Sequence, residues 1–164
     1  IEYRDLPLEE INKIKPLWEK LKKHHHERAT IFKTDFEKMT FTERKRKLSI
    51  GKKEVRIIIA LDGDTTHIVG YCISSISKED LGEVDSLYID EKFRKFGIGT
   101  EFMSRSLEWF NENGLKDIII SVALGNEEAL SFRRARCGDT VRRDLCGSSG
   151  ATRSSYHDCE MSRF

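Results

Sequence analysis

The sequence predicts a single α/β domain spanning residues 1–164. Three observations predict it. The apolar period is helical over roughly the first fifty residues, then changes near residue 53 to β-branched runs broken by short turns. A basic, glycine-rich stretch, "RKFGIGT" at 94–100, separates a strand from the clearest helix of the chain. The composition bounds the rest: 164 residues, 38% hydrophobic and 35% charged, suit one domain with one core.

"IEYRD" at 1–5 alternates weakly and reads as a short first strand. Residues 6–29 read as a helix with Leu8, Ile11, Ile14, Leu17, Trp18 and Leu21 on one stripe. Pro7 is tolerable near its start, whereas Pro16 is expected to kink or interrupt it. A second helix over 40–49 opens on Thr40 and Glu43, which have capping-box spacing. "KEVRIIIALD" at 53–62, "THIVGYCISSIS" at 66–77 and "GEVDSLYID" at 82–90 then form an antiparallel meander. The helix over 97–114 places Ile98, Phe102, Leu107 and Phe110 near one face and stops at Gly114. "LKDIIISVA" at 115–123 is a buried strand, and "NEEALSF" at 126–132 starts a helix capped by Asn126. Beyond it, "DTVRRDL" is the one further strand candidate.

Several function classes are disfavoured. No segment approaches the roughly 20 apolar residues that span a bilayer, so no membrane partner is expected. The N-terminus is acidic and has no apolar leader core. A formal net charge of +1 argues against a dedicated nucleic-acid partner. The four cysteines lack zinc spacing, and reduced thiols in the cytoplasm are expected. His24, His25 and His26 are consecutive; on a helix they point about 100° apart and cannot share one ion, so no metal is expected. They read as a solvated or acceptor-side helix end. "ERKRK" at 43–47 reads as a solvated basic face, and Trp18 and Trp109 as helix packing. Cys72 reads as a small buried residue.

The loop at 94–100 has the chemistry of an anion site. The first N–H groups of a helix lack acceptors within it, and the helix dipole is positive there. Phosphate oxygens satisfy both. Glycine at 97 and 99 lets a ligand approach the backbone and permits left-handed φ values. Arg94 and Lys95 add charge. "GIGTEF" is neither GxGxxG nor a Walker loop, so it does not specify a nucleotide by itself.

The segment from Val84 to Phe132 closely resembles the acetyl-CoA-binding core of the GNAT superfamily of N-acetyltransferases. The family signature, Arg/Gln-x-x-Gly-x-Gly/Ala, appears as Arg94-Lys95-Phe96-Gly97-Ile98-Gly99. Asn126, Ala129 and Phe132 follow in the family's order, and the order of elements over 1–132 fits as well. The resemblance implies a central mixed β-sheet flanked by helices, acetyl-CoA as co-substrate, no metal, and an amine acceptor. Family members often form homodimers.

Site residues follow from the resemblance. Arg94, Lys95, Phe96, Gly97, Ile98, Gly99 and Thr100 would hold the pyrophosphate. Leu87, Tyr88 and Ile89 would pair with the pantetheine arm as an added strand does, with the Ile89 N–H facing the thioester oxygen. Asn126 would lie near the arm. Glu83 stands where several members place a catalytic base, and Asp85 would face the same side in a regular strand. The alternative is two solvent-facing carboxylates. The family's proton-donating tyrosine is absent: Arg133 follows Phe132, and Tyr156 is the only tyrosine downstream.

That departure coincides with a change in composition. The first 132 residues hold 15 Lys and 7 Arg; residues 133–164 hold 7 Arg and no Lys, with three of the four cysteines. The segment 133–164 is either a natural loop-rich terminus or foreign to the domain. Two functions therefore stay open: an N-acetyltransferase acting on a primary amine, and a module that holds acetyl-CoA with little turnover. Nucleic-acid binding through the Arg-rich tail is a remote third.

Overall fold

The computed structural model describes residues 1–28, 40–63, 65–120 and 141–142. Strand β1 (Glu2–Asp5) is followed by a 3-10 segment, Leu8–Ile14, and helix α1 (Lys15–Arg28). Helix α2 (Phe41–Gly51) precedes strands β2 (Glu54–Leu61), β3 (Ile68–Ile76) and β4 (Gly82–Ile89). A 3-10 turn, Glu91–Phe93, leads to helix α3 (Ile98–Glu112), then β5 (Ile118–Ile119) and β6 (Val141–Arg142). The described strands form one sheet in chain order. β1 to β4 are antiparallel; β4, β5 and β6 run parallel. The mixed sheet and the meander are therefore as expected. The helix expected at 126–132 lies outside the described residues, as does the rest of the strand expected over 115–123 beyond Ile120.

The single helix expected over 6–29 is two elements. Pro16 is the second residue of α1 and not a kink within it. Its missing N–H costs nothing in the first turn, where N–H groups have no helical acceptor. The chain ahead of it winds instead as a 3-10 segment whose Ile11 and Ile14 are buried. Helix α2 starts as its capping residues require. The Thr40 hydroxyl oxygen accepts the Glu43 N–H at 3.2 Å, and Thr40 Oγ1 donates to the Glu43 carboxylate at 3.0 Å.

Helices cover both faces of the sheet, and period-two alternation divides the core between them. Ile57, Ile59 and Leu61 of β2, with Tyr71 and Ile73 of β3, pack against the α1 and α2 side, where Trp18 meets Phe41 edge-on. Ile58 and Ala60 of β2, with Val69 and Cys72 of β3, pack on α3 through Ile98, Phe102, Met103 and Phe110. Met103 and Ser106 are buried on α3 as well, which widens the stripe expected from Ile98, Phe102, Leu107 and Phe110. Cys72 is fully buried as expected, and burial pushes its thiol up to about 11.

Lys20 ties α1 to the end of β4. Its ammonium lies 2.5 Å from an Asp90 carboxylate oxygen. That hydrogen bond, against a smaller opposing effect of burial, holds Asp90 below the ordinary aspartate value of 3.8. The same bond raises Lys20 above its ordinary 10.5.

Two outcomes are expected. Thr40→Ala lowers stability by about 1 kcal/mol through loss of the cap, read from the denaturant midpoint. Lys20→Met lowers stability at pH 7 by under about 1 kcal/mol, because the lysine is solvent-screened. A depressed carboxylate stabilises above its unfolded value and loses that contribution as pH falls through its folded one. The Lys20→Met difference therefore closes as pH drops below the ordinary aspartate value of 3.8, measured by urea titrations at stepped pH.

Candidate functional site

Strand β4 contains one residue more than its partner. Ile73 pairs with Ser86 and Ser74 pairs with Val84, which leaves Asp85 as the extra residue of a β-bulge. The bulge places Val84 and Leu87, three residues apart, in the same core cluster under α3. It also exchanges the backbone groups that point away from β3. The Gly82 N–H points outward, donating to the Asp117 carbonyl at 3.0 Å. The Asp90 N–H points inward, donating to the Val69 carbonyl at 2.8 Å. Facing residues alternate in an antiparallel ladder. Tyr88 and Ser86 therefore bond to β3, and Leu87 and Ile89 face outward. A continuous ladder would have turned Ser86 and Tyr88 outward instead. Among the described residues β4 pairs with β5 over Gly82 and Glu83, so Leu87 and Ile89 present their backbone along an edge with no ladder partner there.

Both carboxylates of the strand's first half meet cations of α2 and its C-cap, Lys52. Lys52 Nζ donates to Glu83 Oε2 at 2.8 Å and lies 3.6 Å from Asp85 Oδ1. Arg44 Nη2 donates to the Asp85 carbonyl at 3.0 Å and lies 3.7 Å from Asp85 Oδ1. The Ser75 hydroxyl donates to the Asp85 carboxylate. Asp85 is 2% exposed and Arg44 3%. Burial acts to lower the Lys52 pKa, but attraction from Asp85 and Glu83 and the bond to Glu83 outweigh it, so the value is raised and Lys52 stays an ammonium at neutral pH. The pair expected on an open strand face is thus differentiated. Asp85 is buried in an ion cluster, and Glu83 sits at its half-buried rim.

Beyond β4 the backbone turns twice into left-handed geometry, at Lys95 with φ 70° and at Gly97 with φ 80°. Gly97 is the N-cap of α3 and brings no side-chain cap, and the first helical bond runs from Glu101 N–H to the Gly97 carbonyl at 3.0 Å. The N–H groups of Ile98, Gly99 and Thr100 consequently have no acceptor within the helix. A Cβ at Gly97 would meet open space; its glycine is required by φ and not by crowding. Arg94 folds back, its Nε donating to the Ile89 carbonyl at 3.2 Å and its guanidinium lying 5.7 Å from the Tyr88 ring centre. Phe96 exposes 73% of its surface. Glu101, the one acid of the first turn, is drawn to Arg105 at 2.7 Å.

The structure brings Glu83, Asp85, Leu87, Tyr88 and Ile89 onto one strand, with Arg94 to Thr100 at its exit. Asn126 and Tyr156 lie outside the described residues. Two expectations are corrected. Arg44 is not on a solvated basic face, because it shares the buried stripe of Phe41 and Leu48. His25 is buried, which removes the solvated reading for it and leaves the acceptor-side alternative untested. Arg44, Lys52 and Ser75 were not expected in the site. The spacing 41, 44, 48 carried the signal for Arg44, since those positions share a helix face. Among the described residues no helix is long and apolar enough to cross a membrane.

Comparison with known proteins agrees with this geometry. Residues 17–138 match the acetyltransferase (GNAT) family. An uncharacterized N-acetyltransferase of Methanocaldococcus jannaschii, MJ1207, is 30% identical over 60 residues, covering 37% of this chain and 26% of the relative. The chain thus spans about a quarter of that curated relative's length. A mutant of the BH1408 protein from Bacillus halodurans superposes with a TM-score of 0.67 at 15% identity, over 93% of this chain and 99% of that one. The aminoglycoside N-acetyltransferase AAC(6')-Iy in complex with CoA does so with a TM-score of 0.58 at 11% identity, over 92% and 100%. With most of its length matched to the family, the chain belongs to the acetyltransferase (GNAT) family.

Proposed function

We propose that this chain transfers the acetyl group of acetyl-CoA to a primary amine of a small molecule, peptide or protein, by direct attack with general-base help. The observation that carries this reading is the joining of three parts within one strand and its exit. They are an unpaired helix N-terminus behind a left-handed glycine turn, an outward-facing backbone edge, and a half-buried carboxylate. A CoA-bound solved structure of the same fold supports the choice of cofactor.

In this reading the pyrophosphate lies on the backbone N–H groups from Arg94 to Thr100, with Lys95 adding charge. Arg94 closes the loop onto β4, where its side chain bonds the Ile89 carbonyl. The pantetheine arm lies along the outward edge and pairs with Leu87 and Ile89, as an added strand would. Tyr88 turns its backbone to β3 and contributes its ring under Arg94. The Ile89 N–H donates to the thioester oxygen as charge develops on it. Asn126, by its match to the family's asparagine, is the candidate neighbour of the arm.

The acceptor arrives mostly as an ammonium, since a lysine-like amine has a pKa near about 10.4. Glu83 takes its proton, directly or through a water, and the neutral amine attacks the thioester carbon. Asp85 orients the rim of the site, held in place by Ser75, Arg44 and Lys52. Tyr156 is the candidate donor to the departing thiolate.

A second reading, a module that binds acetyl-CoA with little turnover, is favoured by one feature. Arg133 stands where the family often has its tyrosine. The two readings separate in one assay, thiol release from acetyl-CoA against a panel of primary amines. Amine-dependent release supports the enzyme, and tight binding without release supports the module.

Two outcomes are expected. Calorimetry shows acetyl-CoA binding by the parent and its loss in Gly97→Glu, which adds a bulky anion at a left-handed position. Binding unchanged by that substitution would place the cofactor elsewhere. Glu83→Gln lowers kcat by about 10²- to 10⁴-fold with little change in acetyl-CoA affinity, measured by thiol release. Full activity in Glu83→Gln would remove Glu83 as base.

A further inference from the structure

The bulge at Asp85 is fastened from outside the sheet. Arg44, on α2, reaches across to β4 and donates to the carbonyl of the extra residue at 3.0 Å while lying 3.7 Å from that residue's carboxylate. One guanidinium thus engages both the backbone and the side chain of Asp85, in a contact almost wholly removed from water. A bulge leaves one residue outside the regular ladder. Continuing the register of the strand's first half would set Asp85 opposite Ile73 and Ser86 opposite Cys72, and a regular ladder would give the Asp85 carbonyl to β3. The bulge sets Ser86 opposite Ile73 instead, so the Asp85 carbonyl leaves the ladder and Arg44 donates to it. Arg44 makes the bulged register one in which that buried carbonyl keeps a donor.

We propose that Arg44 is a positioning residue for the cofactor: by holding the bulge, it decides that Leu87 and Ile89, and not Ser86 and Tyr88, present their backbone to the open edge of β4. The inference rests on the reading of that edge as the pantetheine site. Arg44 touches neither the pyrophosphate loop nor the outward edge. Its effect passes through the parity of the strand.

The test uses Arg44→Lys, which keeps the charge but not the rigid fork of donors, and Arg44→Met, which fills similar volume with no donor. Two measurements are made on each folded variant. The first is amide hydrogen exchange over β4. In the parent, Tyr88 is protected by β3 while Leu87 and Ile89 exchange quickly; in both variants that contrast is lost. The second is calorimetry with two probes, CoA and ADP. ADP carries a pyrophosphate without the pantetheine arm. CoA affinity falls about tenfold or more, while ADP affinity stays within error.

A folded variant that keeps the exchange contrast, or loses it with CoA affinity unchanged, overturns the proposal. Equal loss of CoA and ADP affinity overturns it too, because a general loosening of the domain explains that result. A parent that binds no CoA counts against the proposed function instead. In that case the exchange contrast still decides whether Arg44 sets the register.

Discussion

One extra residue in β4 is the constraint on which the candidate site depends. Side chains and backbone groups of a strand alternate with a period of two, so a single inserted residue exchanges every later position. Before Asp85, Val84 packs under α3; after it, Leu87 does. The hydrophobic core therefore continues across the irregularity, and the backbone edge is what changes. Asp85 is buried, and burying a carboxylate is costly without partners. Arg44, Ser75 and Lys52 supply them. The buried ion cluster and the open edge are two sides of the same bulge.

The two faces of the sheet divide the work. The α3 face is mostly apolar, with Phe102 and Phe110 fully buried beside a small Cys72, Ser74 and Ser106 cluster. It fixes the start of the helix and so the direction of its unpaired N–H groups. The α1 and α2 face is where charges enter, through Arg44, Lys52 and Lys20. Lys20 reaches Asp90, and the Asp90 carboxylate in turn accepts the Lys92 N–H in the turn leading to the loop. A movement of α1 is thus connected to the loop by two polar contacts.

Much of this architecture was legible in one sequence. The capping box at Thr40 and Glu43, the meander, and the stop at Gly114 are local signals, and each element forms near where its residues require. The glycine-rich loop was legible for the same reason: a positive φ at residue 97 is a local demand that glycine meets. The site's charges were harder to read. "ERKRK" looks like a solvated run, because composition does not say which arginine lies on the helix's apolar stripe. Asp85 looks like a second open carboxylate, because alternation gives its face but not that α2 covers it. Both are corrected by one contact between residues 41 positions apart. The 3-10 segment before Pro16 was hidden as well, since its apolar spacing of three also fits an α-helix.

The sequence by itself determined the elements, their order, the two-faced pattern of the strands and the glycine turn that ends in a helix N-terminus. These follow from periodicity, capping and backbone sterics, which act over a few residues. Only the tertiary structure decided where β4 slips its register, which carboxylate is buried, and which backbone groups face the open edge. Those outcomes depend on a charge arriving from another helix. No local rule fixes a bulge when the regular and the bulged pairings offer the same residues; the bulged one frees the Asp85 carbonyl from the ladder, and a buried arginine of α2 donates to it.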